Sequence, residues 1–375
     1  MQSDAYVERR KEFKQDLASR KIALTTISDP RHIYYFTGFQ TANPRLAALL
    51  FLPLYGDSVL MVGSTEAKRA EEVFKERVVA FKDYDVDERM VVYPELIAEQ
   101  LREIAPLWRS LDGRIGIENW HLPPILTDAI KDAFGASLAN VSKDILSMRF
   151  VKSQNEIEKI KEGCRYLDEA YQVIKPLMRE GLTEISICAR VQAALFEKTG
   201  RMQLVLGDYI SGERTIEISG PPTNRELERG DTMILDLQTV CDNYWSDNTR
   251  TFAVGRPNER QLKVWKVLIE AKKAAESVLK PGSLAGDVYK AARRIIDRAG
   301  YGNSFPHHVG HGIGLESQEP PFFLPNSTEQ LKEGVVCAIE PGIYARSIGG
   351  IRIEDDYLIT EEGFEKLSLF PMELD

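Results

Sequence analysis

Residues 234–252, Ile-Leu-Asp-Leu-Gln-Thr-Val-Cys-Asp-Asn-Tyr-Trp-Ser-Asp-Asn-Thr-Arg-Thr-Phe, constrain this fold more than any other stretch. They read as two strands joined at Asp242-Asn243, residue types that tolerate left-handed conformations. That turn sets Gln238 opposite Asp247 and Asp236 opposite Thr249. Side chains alternate between faces, so Asp236 and Asp247 share one, as diagonal neighbours roughly 7–8 Å apart at the backbone. Two carboxylates so placed converge on metal ions about 3.5–4 Å apart. On an isolated hairpin the same pair would be two solvated acids, so the reading needs further donors.

Three segments supply candidates. His307-His-Val-Gly-His311-Gly-Ile-Gly-Leu-Glu316 gathers three of the five histidines of the chain among glycines. Glycine lets backbone approach closely, and neutral imidazole is a common transition-metal ligand. Val335–Tyr344 places Glu340 at the end of an apolar, strand-like run, and Gly350–Ile359 places Glu354 inside an alternating strand. A buried acid needs a partner: a metal ion, a backbone donor or, here, Arg352.

Around these segments the chain divides. Residues 1–150 alternate helix and strand: a charged helix over 4–20, strands at 22–27, 46–53 and 58–62, and helices near 65–75, 94–107 and 123–134. Asp29-Pro30-Arg31 reads as a loop. This pattern predicts an α/β layer, and no Gly-rich phosphate fingerprint occurs in it. Ser153-Gln-Asn-Glu156 is a capping box opening a long helix, with Ile157, Ile160, Cys164, Leu167, Tyr171 and Ile174 on one face. Residues 151–375 then read as α+β.

A net charge of −9 argues against binding nucleic acid or an anionic membrane surface. The four cysteines are dispersed, which fits a reducing compartment. The N-terminal residues lack the apolar core of a signal peptide, and no apolar run approaches the roughly twenty residues of a membrane span. The expected setting is cytoplasmic.

Together these segments resemble the pita-bread metallohydrolases: prolidases, Xaa-Pro aminopeptidases, methionine aminopeptidases and creatinase-like enzymes. The motifs run in family order over about residues 150–365, and the first half resembles the creatinase/prolidase N-terminal domain. The resemblance implies an α/β creatinase-like domain at 1–150 and an α+β pita-bread catalytic domain at 151–375. It implies metal ligation by Asp236, Asp247, His311, Glu340 and Glu354, with Glu340 handling the proton of a bridging water and His307 as a further catalytic histidine. Two divalent ions are expected, Mn²⁺ favoured, with Co²⁺, Fe²⁺ or Zn²⁺ as alternatives. The substrate would be a dipeptide or other small molecule and the assembly a homodimer. His32 and the Gln40–Arg45 loop are candidates to reach a partner's site.

The chain also departs from the pattern. Ser219 and Gln318 stand about where the family carries two further histidines, Gln238 stands where it often has glycine, and His308 is additional. Ser219, Gln238, His308, Gln318 and Arg352 are therefore the substrate-binding candidates, with Arg352 alternatively pairing a ligand carboxylate. Asp355 and Asp356 read as solvated or salt-bridged. Hydrolysis of an Xaa-Pro dipeptide is the leading expectation. Ring-amide opening like that of ectoine hydrolases, elimination like that of dimethylsulfoniopropionate lyases, and a non-catalytic peptide-binding module are the alternatives.

Overall fold

The computed structural model describes residues 2–42, 48–83, 93–108 and 111–374. The chain forms two compact units, Met1–Met148 and Arg149–Asp375.

The first unit opens with helix α1 (Gln2–Ala18), followed by β1 (Ile22–Ile27), α2 (Pro30–Thr37), β2 (Leu49–Pro53), β3 (Val59–Gly63), α3 (Ala67–Val73), β4 (Arg77–Phe81) and α4 (Tyr93–Ile104). It continues through β5 (Arg114–Ile117), α5 (Pro124–Phe134), β6 (Leu138–Asn140) and α6 (Ser142–Arg149). The strands form one mixed sheet in the order β4-β3-β2-β1-β5-β6. Every residue of β1, β2 and β3 is buried, as continuous apolar strands require when both faces are covered. Leu24, Phe51, Met61, Leu101 and Ile130 are central to that core.

Asp29-Pro30-Arg31 is a helix start, not a loop. The Asp29 carboxylate accepts from Arg31 N, Pro30 sits in the first turn, and Gly38 (φ 75°) closes α2 in the left-handed region. His32 is correspondingly buried, its ring held by Glu118, so it does not extend toward another subunit. Residues 43–45 of the other candidate segment lie outside the described residues.

The second unit begins with α7 (Gln154–Ile174), where both halves of the Ser153/Glu156 capping box form. All six apolar positions read from the sequence are buried along its face. Next come α8 (Glu184–Thr199), β7 (Val205–Ser211), β8 (Thr232–Cys241), β9 (Tyr244–Ala253), α9 (Glu259–Glu276) and α10 (Ala285–Arg298). The C-terminal strands are β10 (Gly310–Gly312), β11 (Glu319–Phe322), β12 (Val336–Ile339), β13 (Gly342–Ala345), β14 (Gly349–Arg352), β15 (Asp355–Ile359) and β16 (Phe364–Lys366). They assemble as β7-β8-β9, β11-β10-β12-β15-β16 and the hairpin β13-β14. One apolar core joins α7 and α8 to β7–β9, and a second joins α9 and α10 to β12, β14 and β15.

Candidate metal centre

The β8–β9 hairpin has the register expected from its turn: Gln238 pairs with Asp247 and Asp236 with Thr249. Asp242 (φ 45°) and Asn243 (φ 73°) both take left-handed conformations there. Next to β8, β7 sets Asp208 directly opposite Asp236.

The remaining donors arrive from the other sheet. His311 lies on β10 opposite Ala338 of β12, and Glu340 follows the end of β12. The glycines beside His311 are steric necessities, since a Cβ on Gly310 would stand 2.0 Å from the Ala338 carbonyl oxygen. Glu354 sits between β14 and β15 and donates its backbone N–H to Thr249 O (3.1 Å), which ties it to the acidic hairpin.

Five donors thus converge. Asp247, His311 and Glu354 offer ligand atoms all within 4.8 Å of one another. Asp236 Oδ1, Asp247 Oδ1, Glu340 Oε1 and Glu354 Oε1 are buried without a hydrogen-bond partner. Such orphaned acceptors are costly unless a cation faces them. His311 donates from Nδ1 to Gly312 O (3.1 Å), which fixes the tautomer and leaves Nε2 facing Glu340 Oε1 (3.4 Å) and Asp247 Oδ2 (3.9 Å). The donor set, four carboxylates and one imidazole, fits divalent transition metals.

Electrostatics tell the same story. Burial, then the charges of Glu354, Asp236 and Asp356, push Asp247 well above the usual carboxylate range. Burial, then Asp236, Glu340 and Asp356, do the same to Glu354. Burial also works to raise Glu340, but His308, His311 and His307 hold it down to about 2.

The candidates for substrate contact are brought together around one cavity of about 350 Å³, yet several are already engaged. Arg352 is 3% exposed, and its Nη2 donates to Asp236 Oδ2 (2.6 Å) and Asp208 Oδ2 (3.0 Å). Its Nη1 donates to Ile218 O (2.8 Å) and Tyr344 Oη (3.0 Å). Of the two readings of Arg352, this is the pairing with a ligand carboxylate, and the guanidinium is fully committed inside the protein. The Ser219 hydroxyl donates to Asp208 Oδ1 (2.8 Å), so its proton is not free for a substrate. Gln238 donates to Asp247 Oδ2 (2.7 Å) and narrows the site from that side. Gln318 is exposed on the cavity wall.

His307, expected as a further catalytic histidine, lines the same cavity. Its Nδ1 donates to His308 O (2.7 Å), and Nε2 lies 2.9 Å from Tyr344 Oη. Since that hydroxyl accepts from Arg352, its proton points to His307 Nε2. Both ring nitrogens are occupied, and burial lowers its pKa. His307 therefore links the His308 carbonyl to Tyr344, whose hydroxyl in turn accepts from Arg352. Asp355 is not solvated but buried against Arg250 (2.8 Å) and Lys272 (2.6 Å). Asp356 is neither solvated nor salt-bridged: it accepts from Asp247 N (3.0 Å) and Cys164 Sγ (3.3 Å), and burial pushes it up to about 8.

Sequence reasoning missed Asp208, Tyr344, Ile218 and Glu184. Fully buried, Glu184 accepts from Ser211 N (2.8 Å) and Oγ (2.7 Å), Thr223 N (2.9 Å) and Oγ1 (2.7 Å), and Arg214. It thereby fixes the segment that carries Ser219. Ile218, at φ 74°, is a β-branched residue in a conformation such residues rarely adopt. None of these has a local signal, because each acts through a partner remote in sequence.

Fold and centre together define a two-domain, metal-dependent hydrolase of the pita-bread type. Residues 158–361 match the model of metallopeptidase family M24, and residues 9–151 match the creatinase/prolidase N-terminal domain. The chain belongs to metallopeptidase family M24. It is 32% identical over 369 residues to the Xaa-Pro dipeptidase of Pyrococcus furiosus, covering 98% of this chain and 99% of that one. It is 31% identical to an uncharacterised peptidase of Staphylococcus saprophyticus, over 95% of this chain and 98% of that one. The crystal structure of the prolidase from Pyrococcus horikoshii superposes with a TM-score of 0.86 at 30% identity, covering 98% of this chain and all of the other.

Proposed function

We propose that this chain is a dinuclear metallohydrolase that cleaves the amide C–N bond of Xaa-Pro dipeptides, working as a homodimer in the cytoplasm. The observation that carries the reading is the set of four orphaned, buried carboxylate oxygens on Asp236, Asp247, Glu340 and Glu354, with His311 grouped beside Asp247 and Glu354. The relatives named as Xaa-Pro dipeptidase and prolidase supply the substrate class.

Asp236, Asp247, His311, Glu340 and Glu354 would hold two divalent cations, Mn²⁺ favoured over Co²⁺, Fe²⁺ and Zn²⁺. When bound, such a pair acidifies a shared water and polarises a carbonyl. Glu340, which lies beside His308 and His311, would be the residue that receives the water's proton. Arg352 and Asp208 hold Asp236 in place, while Tyr344 and His307 hold Arg352.

The test is metal analysis and turnover of Ala-Pro and Gly-Pro with Mn²⁺, Co²⁺ and Zn²⁺. Asp236→Ala and Glu354→Ala should each abolish metal content and cleavage, and retained activity in either overturns the dinuclear site. A metal-free parent that stays inert with added Mn²⁺ would instead indicate a peptide-binding module.

One observation favours a second reading. Among the described residues lining the cavity, Arg352 is the sole Arg or Lys, and its charge is answered by two carboxylates. A dipeptide's terminal carboxylate finds no free Arg or Lys among those residues, which favours an uncharged cyclic amide; elimination from a betaine-like compound, whose carboxylate meets the same lack, is the remaining alternative. Adding both classes to the activity panel decides between the readings. Ser219→His with Gln318→His should raise Xaa-Pro cleavage if the altered residues merely weaken a peptidase.

A further inference from the structure

Ser219 and Gln318 stand where imidazoles were expected, so the group that contacts the reacting carbonyl has to be found elsewhere. The catalytic unit holds three histidines, and their ring nitrogens can be traced one by one. His307 uses both, on His308 O and Tyr344 Oη. His311 uses Nδ1 on Gly312 O and turns Nε2 to the carboxylates of the metal centre. His308 differs from both. Its ring lines the cavity and its side chain is 25% exposed. Nδ1 lies 3.2 Å from Glu340 Oε1 without the alignment of a hydrogen bond, and Nε2 has no hydrogen-bond partner among the described residues.

Backbone geometry fixes this placement. His308 O is held by His307 Nδ1, while the next residue, Val309, donates to Phe323 O (3.1 Å) and accepts from Glu340 N (2.6 Å). His308 thus stands beside the acid that would receive the water's proton, with its ring edge toward open space. The Ser219 hydroxyl is turned away to Asp208, so it does not compete for the same ligand atom.

We infer that His308 is a catalytic residue of this site, whose imidazole hydrogen-bonds the substrate oxygen that gains charge as the carbonyl becomes tetrahedral. It takes the place left by Ser219 and Gln318. A preorganised donor at that oxygen acts only where charge develops, so its loss lowers kcat more than it raises KM. The inference rests on the reading of the site as an amide-cleaving metal centre.

The experiment uses the metal-loaded full chain, with His308→Ala, His308→Asn and His308→Gln. A Gln amide reaches the region of Nε2, whereas an Asn amide reaches only that of Nδ1. Turnover of Ala-Pro should fall by about 10²-fold in kcat for His308→Ala and His308→Asn, with KM within about threefold and metal content unchanged. His308→Gln should recover at least about tenfold of that loss. In parallel, inorganic phosphate is titrated calorimetrically as a tetrahedral oxyanion probe, and its affinity should fall at least about tenfold in His308→Ala and less in His308→Gln. Equal phosphate affinity in all four proteins, or kcat for His308→Ala within about threefold of the parent, overturns the role of His308. A parent that cleaves no Xaa-Pro dipeptide, yet shows the graded loss of phosphate affinity, overturns the proposed substrate and leaves His308 in its place.

Discussion

Arg352 and Asp236 are joined by a 2.6 Å hydrogen bond from Nη2 to Oδ2, while Asp236 Oδ1 remains buried and unpaired. The bond divides one carboxylate into two roles. One oxygen is fixed by the protein, and the other is left to face a cation. Asp208 completes the arrangement by accepting from the same Nη2 at 3.0 Å.

Removing the guanidinium should therefore damage the centre more than removing its outer partner. Arg352→Met leaves Asp208 and Asp236 as facing charges without compensation, a loss of about 3–5 kcal/mol for a buried pair. Asp208→Asn keeps the acceptor toward Ser219 and Gly220, loses only the one toward Arg352, and should cost about 1 kcal/mol. Urea denaturation with metal analysis measures both. Equal stability and metal content in the two variants would show that the arginine does not hold Asp236.

Without cations, the centre should make the fold sensitive to rising pH. Asp247 and Glu354 are pushed well above the ordinary carboxylate range by burial and by their acidic neighbours. A raised carboxyl stabilises the fold below its unfolded pKa, and that contribution fades as pH rises through the folded value. Chelated protein is thus expected to lose stability from about pH 4 upward. Saturating Mn²⁺ restores it, by about 2.7 kcal/mol at a hundredfold excess over Kd. Denaturation of chelated and loaded protein at several pH values should give a gap that widens with pH. A gap that is the same in acid and at neutrality would contradict this account.

Glu184 organises the segment from Ser211 to Thr223 from beneath. Glu184→Ala strands buried donors on Ser211 and Thr223 and should destabilise the chain by about 3 kcal/mol or more. Hydrogen exchange should quicken over 211–223 in particular. Unchanged protection there would mean that the segment is held by something else.

In the N-terminal unit, Asp29 is 3% exposed and held down to about 2: burial works to raise it, but the side-chain hydrogen bond and charge of Arg31, with His32, prevail. A depressed carboxyl stabilises above its unfolded pKa and loses that effect as pH falls toward the folded value. Asp29→Asn should therefore cost about 2 kcal/mol at neutral pH, and the deficit should shrink as pH falls from about 4 to about 2. A deficit independent of pH would leave only the helix cap as its cause.

The acidic hairpin was legible because its information is local. Alternation along two strands and a turn of Asp242-Asn243 fix which residues share a face, so Asp236 and Asp247 could be placed together from spacing alone. The glycines around His311 likewise announced a tight backbone approach, and the capping box announced α7. The short helix at Asp29-Pro30-Arg31 was less visible, since Asp-Pro opens turns and helices alike.

The sequence by itself determined the two-domain order, the strand pairing of the hairpin and the candidate donors, because these follow from periodicity and from neighbours in the chain. Only the tertiary structure decided which of those donors are free. Asp208 reaches Ser219 and Arg352, Arg352 reaches Asp236 and Tyr344, and Tyr344 reaches His307, across separations as large as 144 residues. A hydrogen bond has one donor proton and a fixed direction, so each partnership withdraws a group from chemistry that its identity alone would allow. Three histidines in one short motif look equivalent in the sequence. In the fold one positions its neighbours, one faces the metal centre, and one, His308, is left open to the cavity.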